Sequence, residues 1–349
     1  MGMIKIPEIS IRKFEENYKN IFQSGSLAEG LWNKKLENYF ENYSKVKKAI
    51  AFSSNGSGLL AILISLKRYR GYKNIFIQSN TMYGVKTIAI SSGLNYLGAV
   101  SCSIPSLMPK FDQVKDFIHN LEEPKKTVFM LSHIGGINNP DILEISKLCE
   151  KQGVALIEDA AHSLGSTLDS AHSGTFGLAG VYSLYATKAI PAGEGGIALT
   201  NDHDLGNILS KFNIYDRFDQ EIDVGVNFRI SELQALLSFT VCEQSELIIE
   251  NKSKIASRYI DICKKNNIQF VDPYKGKQRG NHYKFTIIAE KDALSEFKNI
   301  KNRTSSVYDY CLGEDPDNIV NRHICLPIWY GLEEEIIEKT LSELDSLKF

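Results

Sequence analysis

Short apolar runs alternate with amphipathic segments over the first 200 residues. Runs bounded by polar residues or glycine predict buried strands at residues 49–52, 75–77, 127–131, 154–157, 181–185 and 197–199. Helical spacing predicts helices over residues 58–69, 84–91 and 142–152. Because strands and helices alternate, the sequence predicts a mostly parallel sheet that is covered by helices on both faces.

The pattern changes after Ser231. Residues 232–264 predict one long connecting helix, residues 283–288 alternate like a strand, residues 313–321 are rich in loop formers, and residues 332–347 predict a final helix. A chain of 349 residues exceeds what one hydrophobic core usually supports. We therefore predict a large domain over residues 1–240, with an N-terminal helical arm, and a small α+β domain over residues 241–349.

Composition and charge exclude several classes of protein. The chain is 43% hydrophobic and 23% charged, which is typical of a folded protein. A net charge of −2 and the lack of a long basic run argue against a nucleic-acid partner. Six scattered cysteines without a C-x-x-C pair suggest neither a metal site nor a disulfide framework. Without a signal-peptide or membrane-spanning pattern, we expect a cytoplasmic location.

Asp159 is the first candidate for chemistry. It follows the buried strand predicted at residues 154–157, so its carboxylate falls at the carboxyl end of a strand, where open α/β sheets bind ligands. The other interpretation is a helix or turn cap, which is a common role of aspartate. This motif alone favours neither.

Lys188 is the second candidate. It leaves the strand predicted at residues 181–185 and precedes the glycine-rich turn at residues 193–196. An amine beside an apolar wall has its charged form disfavoured, which makes a neutral nucleophile available. The alternative is an ordinary surface lysine.

Residues 53–58, with the sequence SSNGSG, are the third candidate. They lie between a predicted strand and the helix that follows, where small residues let backbone N–H groups approach an anion. This position suits a phosphate, although serine and glycine also form plain turns and caps.

Together these motifs resemble the DegT/DnrJ/EryC1/StrS family of pyridoxal-phosphate (PLP)-dependent aminotransferases, of fold type I. The resemblance covers nearly the whole chain and is carried by residues 24–30, 37–40, 158–163, 174–177, 187–188, 193–196, 227–235 and 326–332. It implies an aspartate-aminotransferase-like α/β large domain with a mostly parallel seven-stranded sheet, and a smaller C-terminal α+β domain.

The resemblance implies that Lys188 bonds covalently to the cofactor and that Asp159 pairs with its pyridine nitrogen. A carboxylate there keeps the nitrogen protonated, and the positive ring then withdraws electrons from a substrate carbanion. The family also implies that Gly56, Ser57 and Ser183 contact the cofactor phosphate. Asn227 would reach the same phosphate from the neighbouring subunit, which implies a homodimer with shared active sites.

The sequence also suggests roles at three further places. At the position of His162 the family has Gln or His near the cofactor hydroxyl or the substrate, and a packed histidine is the alternative. Where the family has an aromatic residue over the cofactor ring, this chain has Met82 followed by Tyr83, so either side chain could cover it. We expect Arg229 to brace neighbouring carboxylates.

The reaction implied is transamination in two half-reactions. L-glutamate donates its amino group, pyridoxamine phosphate carries it, and a nucleotide-linked 4-keto- or 3-keto-6-deoxyhexose accepts it, in glycan or surface polysaccharide biosynthesis. Two segments, at residues 215–227 and 307–326, are shorter than is usual in the family and normally help to hold the nucleotide-sugar.

Other interpretations remain open at this level. Family dehydratases have histidine in place of the lysine, so Lys188 argues against sugar dehydration. A different keto substrate, such as a cyclitol ketone or a small keto acid, fits the short segments. A non-catalytic regulator of the same fold has no need of a reactive lysine, and failure to bind PLP would favour it.

Overall fold

The computed structural model describes residues 4–215 and 224–347. The helices in these residues are α1 (Glu8–Ser24), α2 (Leu31–Ser44), α3 (Asn55–Arg70), α4 (Tyr83–Ser91), α5 (Phe111–His119), α6 (Ile142–Gln152), α7 (His203–Ile214), α8 (Glu232–Cys242), α9 (Ser245–Lys265), α10 (Ala293–Glu296) and α11 (Glu334–Asp345). The strands are β1 (Lys48–Phe52), β2 (Asn74–Gln78), β3 (Asn95–Val100), β4 (Thr127–Ser132), β5 (Ala155–Ala160), β6 (Thr167–Leu168), β7 (Ala171–His172), β8 (Ala179–Ser183), β9 (Gly196–Thr200), β10 (Gln269–Phe270), β11 (Gln278–Arg279), β12 (Phe285–Ile288) and β13 (His323–Leu326).

A seven-stranded sheet forms the centre of the molecule. Its strand order is β1-β9-β8-β5-β4-β2-β3, and the pairings from β8 to β3 are parallel, whereas β9 runs antiparallel to both of its neighbours. This architecture confirms the predicted mostly parallel seven-stranded sheet. The six predicted strands all belong to it.

Side chains of the central strands alternate between two apolar layers. In β4, Val128 and Met130 belong to the layer under α3, α4 and α7, whereas Phe129 and Leu131 belong to the layer under α5 and α6. Burial on both faces explains why these strands read as continuous apolar runs. The edge strand β3 was not predicted, because it is half exposed and less apolar.

The prediction of a single long helix at residues 232–264 is wrong. The chain forms α8 and α9 instead, separated at Glu243 and Gln244. The boundary between two apolar clusters falls within α9: Ile248 and Ile249 pack in the same cluster as Leu236 and Val241 of α8, whereas Tyr259 packs with Phe285 in a separate cluster.

Two small sheets complete the fold. Strands β10, β12 and β13 form an antiparallel sheet that packs with α9 and α11. The β6–β7 hairpin pairs with β11, and so joins the region between β5 and β8 to the C-terminal part of the chain. The division at residues 240 and 241 stays a prediction.

The β6–β7 hairpin has a two-residue turn, Asp169–Ser170. Both residues have positive φ angles, 50° and 67°, as a tight hairpin turn requires. The turn is held from outside, because Asp169 N donates to Lys277 O at 3.2 Å and the Lys277 ammonium pairs with the Asp169 carboxylate at 2.8 Å.

Among the described residues, no helix combines the length and the apolar character that crossing a bilayer requires.

Candidate active site

Asp159 lies at the carboxyl end of β5, where the sequence predicted a functional acid. It is 6% exposed and stands opposite Ser132, the last residue of β4. Its carboxylate accepts hydrogen bonds from Asn55 Nδ2 at 3.1 Å, Ser132 Oγ at 3.2 Å and Ala161 N at 3.2 Å. Because Asn55 starts α3, one carboxylate links two strands and a helix at this edge of the sheet.

Glu158 points to the other face of β5. Its carboxylate accepts hydrogen bonds from the backbone N–H groups of Gly174, Phe176 and Gly177 at 2.6–2.7 Å. His133 Nδ1 accepts from Asn139 N, so Nε2 carries the proton and donates to Glu158 at 2.8 Å. These contacts fix the loop before β8 to β5.

Lys188 lies in the loop that joins β8 to β9. Burial lowers the pKa of its amine, an effect that the negative charge of Asp159 partly opposes and the nearby Lys284 reinforces. Its Nζ lies 5.4 Å from the centre of the Tyr283 ring. The segment from Asp159 to Lys188 contains the β6–β7 hairpin and then β8, which pairs in parallel with β5, so that both residues lie at the carboxyl ends of adjacent strands.

His162 is buried between two tyrosine rings. Its ring centre lies 4.4 Å from that of Tyr283, and Nε2 lies 3.4 Å from the Tyr308 hydroxyl. Burial, reinforced by Lys188 and Lys284, holds the pKa of His162 well below its ordinary value, so the imidazole is neutral. Within residues 4–215 and 224–347, the buried Nδ1 has no hydrogen-bond partner.

The predicted phosphate segment forms the first turn of α3. The helix starts at Asn55, earlier than the predicted residue 58, because Ser54 caps it: its Oγ accepts from Ser57 N at 3.1 Å while Ser57 Oγ accepts from Ser54 N at 3.0 Å. Gly56 therefore lies inside the first turn. A side chain at Gly196 would place Cβ 2.2 Å from Ser54 O, so the lysine loop packs against this helix start.

Four other residues have roles that the sequence predicts for this site. Ser183 is buried at the end of β8 and accepts from Tyr185 N at 3.3 Å. Met82 and Tyr83, at the start of α4, are 47% and 59% exposed, and the Tyr83 N–H donates to the Tyr310 hydroxyl at 3.0 Å. Asn227 is exposed and caps Arg229 N at 3.3 Å. The roles of all four stay predictions.

Arg229 has the bracing contacts that the sequence predicted. Its guanidinium donates to Asn213 O at 2.6 Å and lies 4.0 Å from the Glu29 carboxylate. The neighbouring short segment predicted at residues 215–227 lies partly outside the described residues, which omit 216–223.

Sequence reasoning missed three residues of this centre, Ser132, Tyr283 and Tyr308, and it included Asn55 in the phosphate segment without its contact to Asp159. Asn55 and Ser132 contact Asp159, and the rule that placed Asp159 at a strand end could also have identified Ser132 at the end of β4. Tyr283 and Tyr308 come from the C-terminal part of the chain and contact His162. No local pattern in the sequence points to them.

The groups that remain available in this centre match pyridoxal phosphate. His162 Nδ1, which has no hydrogen-bond partner among the described residues, can make a polar contact. The Asp159 carboxylate supplies a negative charge. The Lys188 amine, whose pKa is lowered, supplies a nucleophile. The phosphate would lie at the N-terminus of α3, which is the kind of position that binds anions, although the Ser57 N–H is used there by the capping box. A metal centre has no such basis, since the described ranges contain no cluster of three or more His, Cys, Asp or Glu residues.

Comparison with known proteins gives a family match over almost the entire chain. The model of the DegT/DnrJ/EryC1/StrS aminotransferase family matches residues 9–345.

Individual relatives are more distant. The chain is 24% identical over 261 residues to the UDP-4-amino-4,6-dideoxy-N-acetyl-beta-L-altrosamine transaminase of Helicobacter pylori, covering 70% of this chain and 66% of that protein. It is 26% identical over 282 residues to the GDP-perosamine synthase of Escherichia coli O157:H7, covering 79% and 74%. A DegT DnrJ EryC1 StrS aminotransferase from Brucella abortus has a similar fold, with a TM-score of 0.83, 20% identity and coverage of 96% and 95%.

Proposed function

The chain belongs to the DegT/DnrJ/EryC1/StrS aminotransferase family, and we propose that it transfers an amino group from L-glutamate to a nucleotide-linked keto-sugar. One observation carries the proposal. The half-buried amine of Lys188 lies within electrostatic reach of the Asp159 carboxylate, at the carboxyl edge of the sheet, and the partly desolvated position lowers the pKa of the amine. A nucleophilic amine next to a fixed negative charge is what a PLP-dependent transaminase requires.

Pyridoxal phosphate, when bound, supplies an aldehyde that takes up the amino group and a ring that withdraws electrons. Asp159 would hold a proton on the ring nitrogen. Its hydrogen bonds from Asn55 and Ser132 fix the direction of the carboxylate, and they leave room on its oxygens for one more donor.

Lys188 has two tasks in this proposal. Its Nζ would hold the cofactor covalently, and as a free amine the same Nζ would accept the proton that leaves the donor α-carbon. Both tasks need the neutral amine, and burial favours that form by lowering the pKa of Lys188. The loop that carries Lys188 is held to β8, since Ala192 N donates to Leu184 O at 2.9 Å.

The cofactor phosphate would lie at the start of α3, with Gly56 and Ser57, and near Ser183. Asn227 would reach the phosphate in the neighbouring subunit, because its side chain is exposed. We therefore propose a homodimer with shared sites.

His162 would contact the cofactor hydroxyl or the substrate through Nδ1, its unused ring nitrogen. Burial, reinforced by the charge of Asp159, raises the pKa of Tyr308 well above its usual range. The Tyr308 hydroxyl thus remains protonated and can donate a hydrogen bond to His162 or to a bound substrate. Met82 or Tyr83 would cover the ring from the side of α4.

The names of two relatives support a nucleotide-sugar as the amino acceptor. The Helicobacter pylori and Escherichia coli proteins are named for UDP- and GDP-linked amino sugars. A 4-keto- or 3-keto-6-deoxyhexose carried on such a nucleotide is the proposed substrate, with its product used in glycan or surface polysaccharide biosynthesis. A cytoplasmic location remains the prediction made from the sequence.

The visible absorbance of the purified protein with pyridoxal phosphate tests the proposal. We expect the wild type to give a band of the lysine-bound cofactor, and L-glutamate to convert it to the pyridoxamine form. Lys188→Ala should give neither change. Lys110→Ala, a change at an exposed lysine before α5, is the matched control and should behave as wild type.

UDP- and GDP-linked keto-deoxyhexoses, added next, should restore the original band and yield an amino sugar detectable by mass spectrometry. A wild-type protein whose spectrum does not depend on Lys188 would overturn the transaminase proposal. A protein that passes the glutamate step but accepts only other ketones would overturn the nucleotide-sugar part alone.

A further inference from the structure

Lys188 is one of the residues that line a small cavity. Thr187, Lys188 and Ala189 line one wall, and Lys252, Tyr283 and Trp329 line the other. The cavity is therefore bounded by the lysine loop on one side and by α9 and the segment after β13 on the other. Groups in it are positioned to meet a molecule that reacts at Lys188.

Lys252 places a buried amine in this wall. It is 2% exposed, and its Nζ donates to Ala189 O over a long 3.4 Å. Burial lowers the pKa of Lys252 to about 7. In the part of the chain that the structure describes, no carboxylate pairs with this amine.

An ammonium group has three hydrogens to donate, so Lys252 retains unused donor capacity. Burying an amine without such partners costs free energy, and a lysine with a purely apolar task could be replaced by leucine or methionine. The position therefore favours a group that arrives with its own negative charge.

Trp329 adds a second unused donor. Its indole Nε1 is buried and, as far as residues 4–215 and 224–347 are concerned, has no acceptor. Lys5, which also lines the cavity, is occupied: it pairs with the Glu333 carboxylate and donates to Gly331 O, both at 2.8 Å. Lys252 and Trp329 thus supply the free donors.

We propose that Lys252 and Trp329 form a carboxylate-binding subsite that holds the amino donor beside Lys188. This inference rests on the proposed function. The cofactor phosphate is already provided for at the start of α3, and a sugar hydroxyl needs no buried cation. An amino-acid donor such as L-glutamate has two carboxylates, one of which has to be held while Lys188 acts on the α-carbon.

Binding of glutarate, a dicarboxylate without an amino group, tests the subsite without any reaction. Calorimetry on the cofactor-loaded protein should give a Kd at least about 10-fold higher for Lys252→Met than for wild type, because a charge-assisted hydrogen bond is lost. Trp329→Phe, which keeps the ring and removes the donor, should raise the Kd roughly 3-fold. The KM for L-glutamate should rise in parallel.

Lys254→Met is the matched control, because Lys254 is an exposed lysine of the same helix. It should leave the Kd of glutarate unchanged. Binding of UDP or GDP should be the same in all variants, since the subsite serves the donor.

Equal glutarate affinity in wild type, Lys252→Met and Trp329→Phe would overturn the subsite. The same holds if Lys252→Met only lowers the melting temperature, or only alters the cofactor band, because Lys252 would then merely support the loop at Ala189. Trp329→Phe decides the matter if Lys252→Met does not fold. Failure of the Lys188-dependent band in wild type is a separate result, which concerns the proposed function and not glutarate binding.

Discussion

Glu158 and Asp159 are neighbours on β5, and their carboxylates point to opposite faces of the sheet. Glu158 is fully buried and accepts four short hydrogen bonds, three from backbone N–H groups and one from His133. Asp159 accepts three longer ones, at 3.1–3.2 Å, at the edge where Lys188 approaches. The same chemical group thus has a structural task on one face and an available charge on the other.

The two histidines repeat this contrast. Both ring nitrogens of His133 are used, one by Asn139 N and one by Glu158. His162 has a long contact to the Tyr308 hydroxyl, and in the described part of the chain its Nδ1 has no partner. Buried polar groups whose hydrogen bonds are all made within the protein support the fold, whereas buried polar groups that lack partners indicate where a ligand binds.

The largest expected effect is the loss of reaction rate on changing Asp159. Asp159→Asn keeps the shape of the side chain but removes the charge that would hold a proton on the cofactor nitrogen. We expect the half-reaction with L-glutamate to slow roughly 1000-fold, or about 4 kcal/mol of barrier. Stopped-flow absorbance measures it. A rate within a few-fold of wild type would show that the reaction does not need the Asp159 charge, and the proposed functional role of Asp159 would fail.

The second largest effect is the loss of stability on changing Glu158, on the opposite face of β5. Glu158→Gln replaces an acceptor by an amide whose NH₂ group faces backbone donors, so we expect the free energy of unfolding to fall by about 3 kcal/mol. Denaturant titration measures it. The half-reaction rate of the folded fraction should stay near that of wild type. A rate loss as large as that of Asp159→Asn would contradict a purely structural role.

The smallest effect concerns pH. Because the pKa of His162 is well below its ordinary value in the folded state, the unfolded chain binds the proton first as the pH falls. His162 therefore lowers the free energy of unfolding below pH 6.5, by about 1 kcal/mol at pH 5.5.

Denaturant titrations at pH 7.5 and pH 5.5 measure this contribution. His162→Gln should remove it, whereas His119→Gln, at the exposed end of α5, should keep the wild-type pH dependence. Identical pH dependence in wild type and His162→Gln would show that the buried imidazole is not held neutral by the fold.

Much of this fold could be predicted because buried parallel strands give apolar runs, and functional residues follow their carboxyl ends. Asp159 and Lys188 were identified in this way. The edge strand β3 was missed because most of its residues are exposed or only partly buried, so they do not form an apolar run. The start of α3 was placed late because glycine and serine have low helix propensity, which the Ser54 capping box outweighs.

The remaining part of the site depends on contacts between residues far apart in the chain. Tyr308 meets His162 across 146 positions of sequence, and Lys252 meets Ala189 across 63. Neither contact has a local pattern, since each depends on how the C-terminal part packs on the large sheet. The unused donors of Lys252 and Trp329 are likewise visible only in the folded chain.

The β6–β7 hairpin bears on how this chain can be lengthened. Hairpin tips usually accept inserted residues, because they project into solvent. Here the tip at Asp169 and Ser170 is fastened to Lys277, and its flanking strand pairs with β11. An epitope tag or a natural insertion at this tip would have to displace that strand, so the hairpin is a poor site for extension despite its position in a loop.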